Sequence, residues 1–223
     1  MATYSEKQYP GDWLKYEGEA DFSREKITVL EGSGTPRALT SGMVLAKITK
    51  GAATGAAVAG NTGNGTITAN PTVGAAAKPG VYKIVCIEPA TNGGVFTVED
   101  PDGVVIGVAK VGVQFDTHLT FTISDGETDF VAGDQFTITV ADGSGKWVQY
   151  DDQGGATGIA TPAGILLLDV TAPVGVDAKG VAIVRHAVVD ADKLIWPATA
   201  DSGEKAAALA VLKSLGIVAR GEA

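Results

Sequence analysis

The chain has 223 residues, 45% of them hydrophobic, and a formal net charge of −9. That length allows one large domain or two modest ones with their own cores, and that apolar content excludes a wholly disordered protein. The 17 basic residues are scattered rather than clustered, which argues against nucleic acid as a partner, because neutralising phosphates takes grouped Lys and Arg.

Glycine, at 30 residues, is about twice its usual share, and aromatics are only 6%. Glycine between short Val/Ile/Thr runs predicts many turns and many short strands. The first residues lack the charged and apolar regions of a signal peptide, and no apolar run reaches bilayer-spanning length. The expectation is a protein made in a cytoplasm with no membrane partner.

Residues 1–24 are polar with isolated aromatics, Tyr4, Tyr9, Trp13, Tyr16 and Phe22. Neither helical nor strand periodicity is present, so the segment reads as an arm that cannot fold alone. Large aromatics on a polar arm suit anchoring to another surface. Strand signals begin at Lys26-Ile27-Thr28-Val29-Leu30 and return at residues 43–49.

The run GAATGAAVAGNTGNG, residues 51–65, reads as a flexible small-residue linker, and a second soft patch lies at residues 141–145. Between them, residues 81–87, 94–99, 104–111, 119–124 and 135–140 carry strand patterns, with a turn at Pro101-Asp102-Gly103. The strand ends FTVEDPDG, FTISDGETD and FTITVADG, from Phe96, Phe121 and Phe136, are repeated hairpin chemistry rather than a solenoid, since their spacing is unequal.

Removing that middle brings residues 44–49 straight to Lys146-Trp147-Val148-Gln149-Tyr150, two strands of an ordinary hairpin. Loop tips accept whole inserted domains at little cost. The expected organisation is an arm at 1–24, a discontinuous domain at 25–59 and 143–223, and an inserted β domain at 60–142. Residues 164–170 and 180–185 read as strands, and Leu194-Ile195-Trp196-Pro197 closes the β part. One helix is predicted: Asp201 and Glu204 have capping-box spacing, Ala207, Ala208, Val211, Leu212 and Leu215 form a stripe, and Gly216 stops it. Residues 217–219 then return to extended chain.

Chemistry-bearing patterns are sparse. His118 and His186 lie outside any metal-ligand spacing, and the single Cys86 sits among Ile84, Val85 and Ile87 like a buried small hydrophobe. No nucleophile elbow or Cys–His signature is present. The Gly60–Gly65 run precedes no helix, so it is no phosphate cradle. The acidic turns at residues 99–103 and 125–129 lack the twelve-residue calcium pattern and read as solvated Asx turns. The expectation is therefore no enzyme, no metal and no cofactor.

Tyr150-Asp151-Asp152, Ala163-Gly164-Ile165-Leu166 and Val188-Val189-Asp190-Ala191-Asp192-Lys193-Leu194-Ile195-Trp196-Pro197 together resemble the head decoration proteins of lambda-type tailed phages. Lys205-Ala206-Ala207-Ala208-Leu209, Leu215-Gly216-Ile217-Val218, Phe22-Ser23-Arg24-Glu25 and Gly42-Met43-Val44-Leu45-Ala46-Lys47-Ile48 extend the likeness. It covers roughly residues 22–49 and 147–220. The middle departs from that family's compact form and resembles β modules of other phage structural proteins.

The resemblance implies a β-tulip-like decoration domain; with the one C-terminal helix and the inserted β-sandwich-like domain read from the residues, the expected fold is mainly β. It implies a homotrimer on the exterior of the expanded capsid, with the major capsid protein as partner and an arm that adds a strand to a capsid-protein edge. Three such arms would give avidity. Within the arm the expected capsid contacts are Tyr9, Trp13, Tyr16 and Phe22, while Trp196 and Pro197 are expected in core or trimer packing. The competing expectation is a virion-displayed β module that binds carbohydrate or a host surface. It would need exposed aromatics, and the inserted region has Tyr82 and phenylalanines to offer.

Overall fold

A computed structural model describes residues 7–221, so Tyr4 lies outside the described part. The chain is mainly β, 45% strand and 11% helix. It divides into two compact units. Unit 1 takes Met1–Ile48, Gly145–Gly154 and Gly158–Ala223, and unit 2 takes Thr49–Ser144 with Gly155–Thr157.

Unit 1 is built on a closed five-stranded barrel, in the order Trp147–Gln149, Arg24–Val29, Ala178–Ile183, Pro162–Leu166, Val44–Lys47. The hairpin pairing expected from sequence is present: Trp147 faces Lys47, Val148 faces Ala46 and Gln149 faces Leu45. Alternation along Arg24–Val29 turns Ile27 and Val29 inward, where they pack with Leu45, Leu166 and Ala182. A second cluster, including Trp13, Val44, Ile165, Val189, Leu212 and Ile217, joins the barrel to the helix and to a small sheet.

That helix spans Ser202–Ser214, capped as the sequence dictates: the Asp201 carboxylate accepts from the Glu204 N–H at 2.8 Å, and Glu204 returns the bond. Gly216, at φ +80°, makes the left-handed exit that a side chain would strain. The chain then forms strand Ile217–Arg220, parallel to Ala187–Asp190.

The small sheet has the order Leu14–Glu17, Ala187–Asp190, Ile217–Arg220. Its first strand corrects the reading of residues 1–24. Pro10 opens a one-turn helix, Pro10–Trp13, where its fixed φ is already suitable. Leu14–Glu17 then pairs antiparallel with Ala187–Asp190, and a second one-turn helix, Ala20–Ser23, leads into the barrel. None of these pieces has enough length to show periodicity, and each is stabilised by the body it lies on rather than by propensity. The expectation that Leu194–Pro197 closes the β part also changes: the last strand before the helix is Ala187–Asp190, and Ile195 contributes only an isolated bridge to Met43.

Unit 2 centres on a five-stranded antiparallel sheet, in the order Val105–Lys110, Gly93–Glu99, Gly80–Ala90, Gln135–Asp142, Lys50–Ala57. Three-stranded and two-stranded sheets complete it. One face of the large sheet, carrying Tyr82, Ile84, Cys86, Phe96, Val98, Phe136 and Ile138, packs into the unit's core with Leu119, Phe121, Ile123 and Phe130.

The supposed linker is the second correction here. Lys50–Ala57 is an eight-residue strand registered against Gln135–Asp142, from Ala57 opposite Phe136 to Lys50 opposite Asp142. Small residues serve close approach: a Cβ on Gly55 would lie 2.3 Å from the Thr68 carbonyl oxygen. Residues 119–124, read as one strand, split at Thr122 into Leu119–Phe121 and Ile123–Ser124, which enter different sheets.

Candidate functional site

Trp13 is fully buried in unit 1, and its indole N–H donates to Ser41 Oγ at 3.0 Å. Ser41 Oγ donates in turn to the Leu167 carbonyl at 2.8 Å, and the Ser41 N–H donates to Asp169. The Ser41 N–H, with Lys7 beside it at 3.0 Å, holds the Asp169 carboxyl below the usual carboxylate range. The sequence expected Trp13 to be offered to another surface. In this structure its ring is the largest side chain seated inside, with its one donor satisfied, so it fastens the segment to the body.

Tyr9, Tyr16 and Phe22 are each more than half exposed. Phe22 packs against His186, and Tyr16 lines the same shallow groove as His186. Phe22 meets the imidazole edge-on at a centroid distance of 5.1 Å, and the Arg185 guanidinium lies 5.3 Å from the same ring. Arg185 also donates to the Phe22 carbonyl at 2.8 Å. Tyr16 stands opposite Val188, and Val188 opposite Val218, so the three form one row across the small sheet. That row borders a shallow groove of about 220 Å³ reached by His186, Gly18 and Gly216.

His186 also borders a second groove, about 450 Å³, walled by Pro162, Val184, Val211 and Leu215. The backbone supports this corner firmly. The His186 carbonyl accepts from the Gly18 N–H at 2.8 Å and from Ser23 Oγ at 3.2 Å, and His186 itself sits at φ +50°. A left-handed histidine is uncommon. Sequence reading took His186 only as a histidine outside any metal-ligand spacing, because nothing in its neighbours announces that Phe22, 164 positions away in the chain, meets it edge-on.

Tyr9 lies elsewhere, in a polar groove with Lys7, Lys15 and Lys193. Trp196 is half-buried and meets Tyr150 edge-on at 6.1 Å, packing against the same cluster as Trp13. Pro197 beside it is half-buried. The strand Leu14–Glu17 is an edge of its sheet, and its outer side has no strand partner among the described residues.

Titratable groups elsewhere are occupied by the fold. The Asp100 carboxylate takes the Lys78 ammonium at 2.9 Å and the N–H groups of Asp102 and Val104, and these, Lys78 first, lower its pKa. In unit 2, burial would raise the Asp134 carboxyl, but the N–H groups of Thr62, Gly63 and Val131 together outweigh it and hold the pKa down. Burial lowers the Lys50 pKa, and its ammonium is spent on the carbonyls of Gly74 and Ala75. Among the described residues no three metal-capable side chains gather, and no helix is long and apolar enough to cross a membrane.

The exposed aromatic corner on a β-rich scaffold is a surface suited to contact with another molecule. A family model, bacteriophage lambda head decoration protein D, matches residues 3–217, and the chain belongs to that family. The role that follows is structural, a phage capsid-binding protein of the virion exterior. No curated protein matches. Two crystal structures of Xanthomonas campestris FlgL, in different space groups, align with 53% of this chain and 41% of theirs at 17% identity. The aligned part is thus less than half of that protein, and a TM-score of 0.32 carries no argument about fold.

Proposed function

We propose that the protein binds the outer surface of the expanded capsid as a trimer and cements it, using unit 1 and the face around Tyr16, Phe22 and His186. The observation that carries this reading is the exposed pair Tyr16 and Phe22, placed on and beside an open strand edge. An edge supplies main-chain hydrogen bonds to an added strand, and flanking aromatics supply apolar anchoring. Leu14–Glu17 offers that edge to the major capsid protein, with Tyr9 as an outlying contact. Trp13 contributes indirectly, by holding the strand in register.

Three copies of a modest contact on one trimer give avidity that a single contact lacks. A ligand that engages only the expanded shell stabilises it by mass action, by about 2.7 kcal/mol per site when the free protein is at a hundred times its Kd. The test is addition of the purified protein to expanded capsids that lack it. Saturable binding in multiples of three, with a higher disruption temperature, is the expected result. Heat resistance that stays unchanged at saturation would overturn the cementing role.

A further inference from the structure

We infer that the Val105–Lys110 edge of unit 2 pairs, antiparallel and across a two-fold axis, with the same edge of a second copy of this chain. The inference concerns a part of the molecule that the capsid-binding reading does not use, and it stands or falls separately.

Val105–Lys110 is the terminal strand of the five-stranded sheet. The opposite terminal strand, Lys50–Ala57, is covered midway, where the Gly55 N–H donates to the Ala69 carbonyl at 2.9 Å; on Val105–Lys110 the Lys110 carbonyl, at the strand's end, accepts from the Val113 N–H at 3.1 Å. Along the Val105–Lys110 side, Val104, Val105, Val108 and Val113 are each more than half exposed. An edge left open is ordinarily blunted by proline, by several charges or by a bulge. This one has a single lysine, at its end, and one irregularity between Val105 and Gly107. Beyond that point the ladder is regular: Val108 faces Thr97, Ala109 faces Phe96 and Lys110 faces Val95. Ala109 is buried in the core, so Val108 and Lys110 stand on the outer face.

Charge selects the occupant. The strand is preceded by the acidic turn Asp100-Pro101-Asp102, where one ammonium, Lys78, serves two carboxylates and leaves a net negative end. The other end carries Lys110, exposed and without an ion-pair partner among the described residues. Antiparallel pairing of two copies places each Lys110 beside the other's acidic turn. Parallel pairing would set like charges together. An edge negative at one end, positive at the other and apolar between is complementary to its own reverse, the condition for a closed isologous contact. The product is a continuous ten-stranded sheet, within the size open sheets reach.

The test is sedimentation equilibrium of the full-length protein, without capsids, over a wide concentration range. The expected result is a concentration-dependent doubling of mass, whatever assembly unit 1 forms. Val108→Lys, at an exposed position and therefore tolerated by the fold, should weaken that doubling by roughly tenfold or more while leaving the melting curve unchanged. Lys110→Glu should weaken it too, and Lys110→Glu combined with Asp102→Lys should restore it. No doubling in the wild type, or a charge swap that associates no better than Lys110→Glu alone, would overturn the inference. So would undiminished association of Val108→Lys. Because capsids are absent, none of these outcomes bears on cementing.

Discussion

The two units use the same resource in opposite ways. In unit 2, Tyr82, Phe96, Phe115, Phe121, Phe130 and Phe136 are all buried, and Phe96, Phe130 and Phe136 pack ring against ring at centroid distances of 5.1–5.8 Å. In unit 1, Trp13 is buried, but Tyr9, Tyr16 and Phe22 are turned to solvent. Burying an aromatic ring is a large stabilisation, so the three rings left out are the ones a partner could still cover. The comparison also bears on the carbohydrate-binding alternative, which needs exposed rings: the aromatics of unit 2 are committed to its core.

The comparison can be broken most severely through Trp13. Trp13→Ala removes the largest ring of its cluster and the indole donor to Ser41 Oγ, and should cost unit 1 about 3–5 kcal/mol. Hydrogen exchange should then show Leu14–Glu17 losing protection while the unit 2 core keeps its own. Phe130→Ala is the mirror experiment, with a loss of about 3–4 kcal/mol confined to unit 2. Capsid binding measured on the same sample should be unchanged.

Smaller effects sharpen the contrast. Asp134→Ala leaves three backbone N–H groups without their acceptor and should destabilise unit 2 by about 2–3 kcal/mol, readable by denaturant titration. The same carboxyl gives a pH dependence. Its folded pKa is lowered, so its contribution is fully present above the unfolded value, about 3.9, and is lost as pH falls through the folded value. Melting of unit 2 should therefore drop below about pH 4, and Asp134→Asn should flatten that drop. Smallest in stability is the pair Tyr16→Ala and Phe22→Ala: each should leave the melting temperature nearly unchanged yet weaken capsid affinity by about tenfold, or 1.4 kcal/mol.

Legibility in the sequence followed physical scale. The C-terminal helix was readable because its cap, stripe and stop are local: Asp201, Glu204, Leu212 and Gly216 lie within sixteen residues. The strand Lys50–Ala57 was not, since its Gly/Ala/Thr composition has weak propensity and its conformation is imposed by Gln135–Asp142, about eighty residues on. The same limit divides the site. Tyr16 and Phe22 were legible as apolar rings in a polar stretch. Trp13 looked identical from sequence and differs only because Ser41 and the barrel core receive it. His186 gave no signal at all, its role being set by long-range contacts with Phe22, Gly18 and Ser23.

The central claim is that unit 1, through the corner where Phe22 leans on His186, is what touches the shell. A reconstruction of the decorated head at side-chain resolution tests it most directly. Density for a capsid-protein strand is expected alongside Leu14–Glu17, with Tyr16 and Phe22 covered. Finding those two rings in solvent, with the shell held by unit 2 instead, would contradict it.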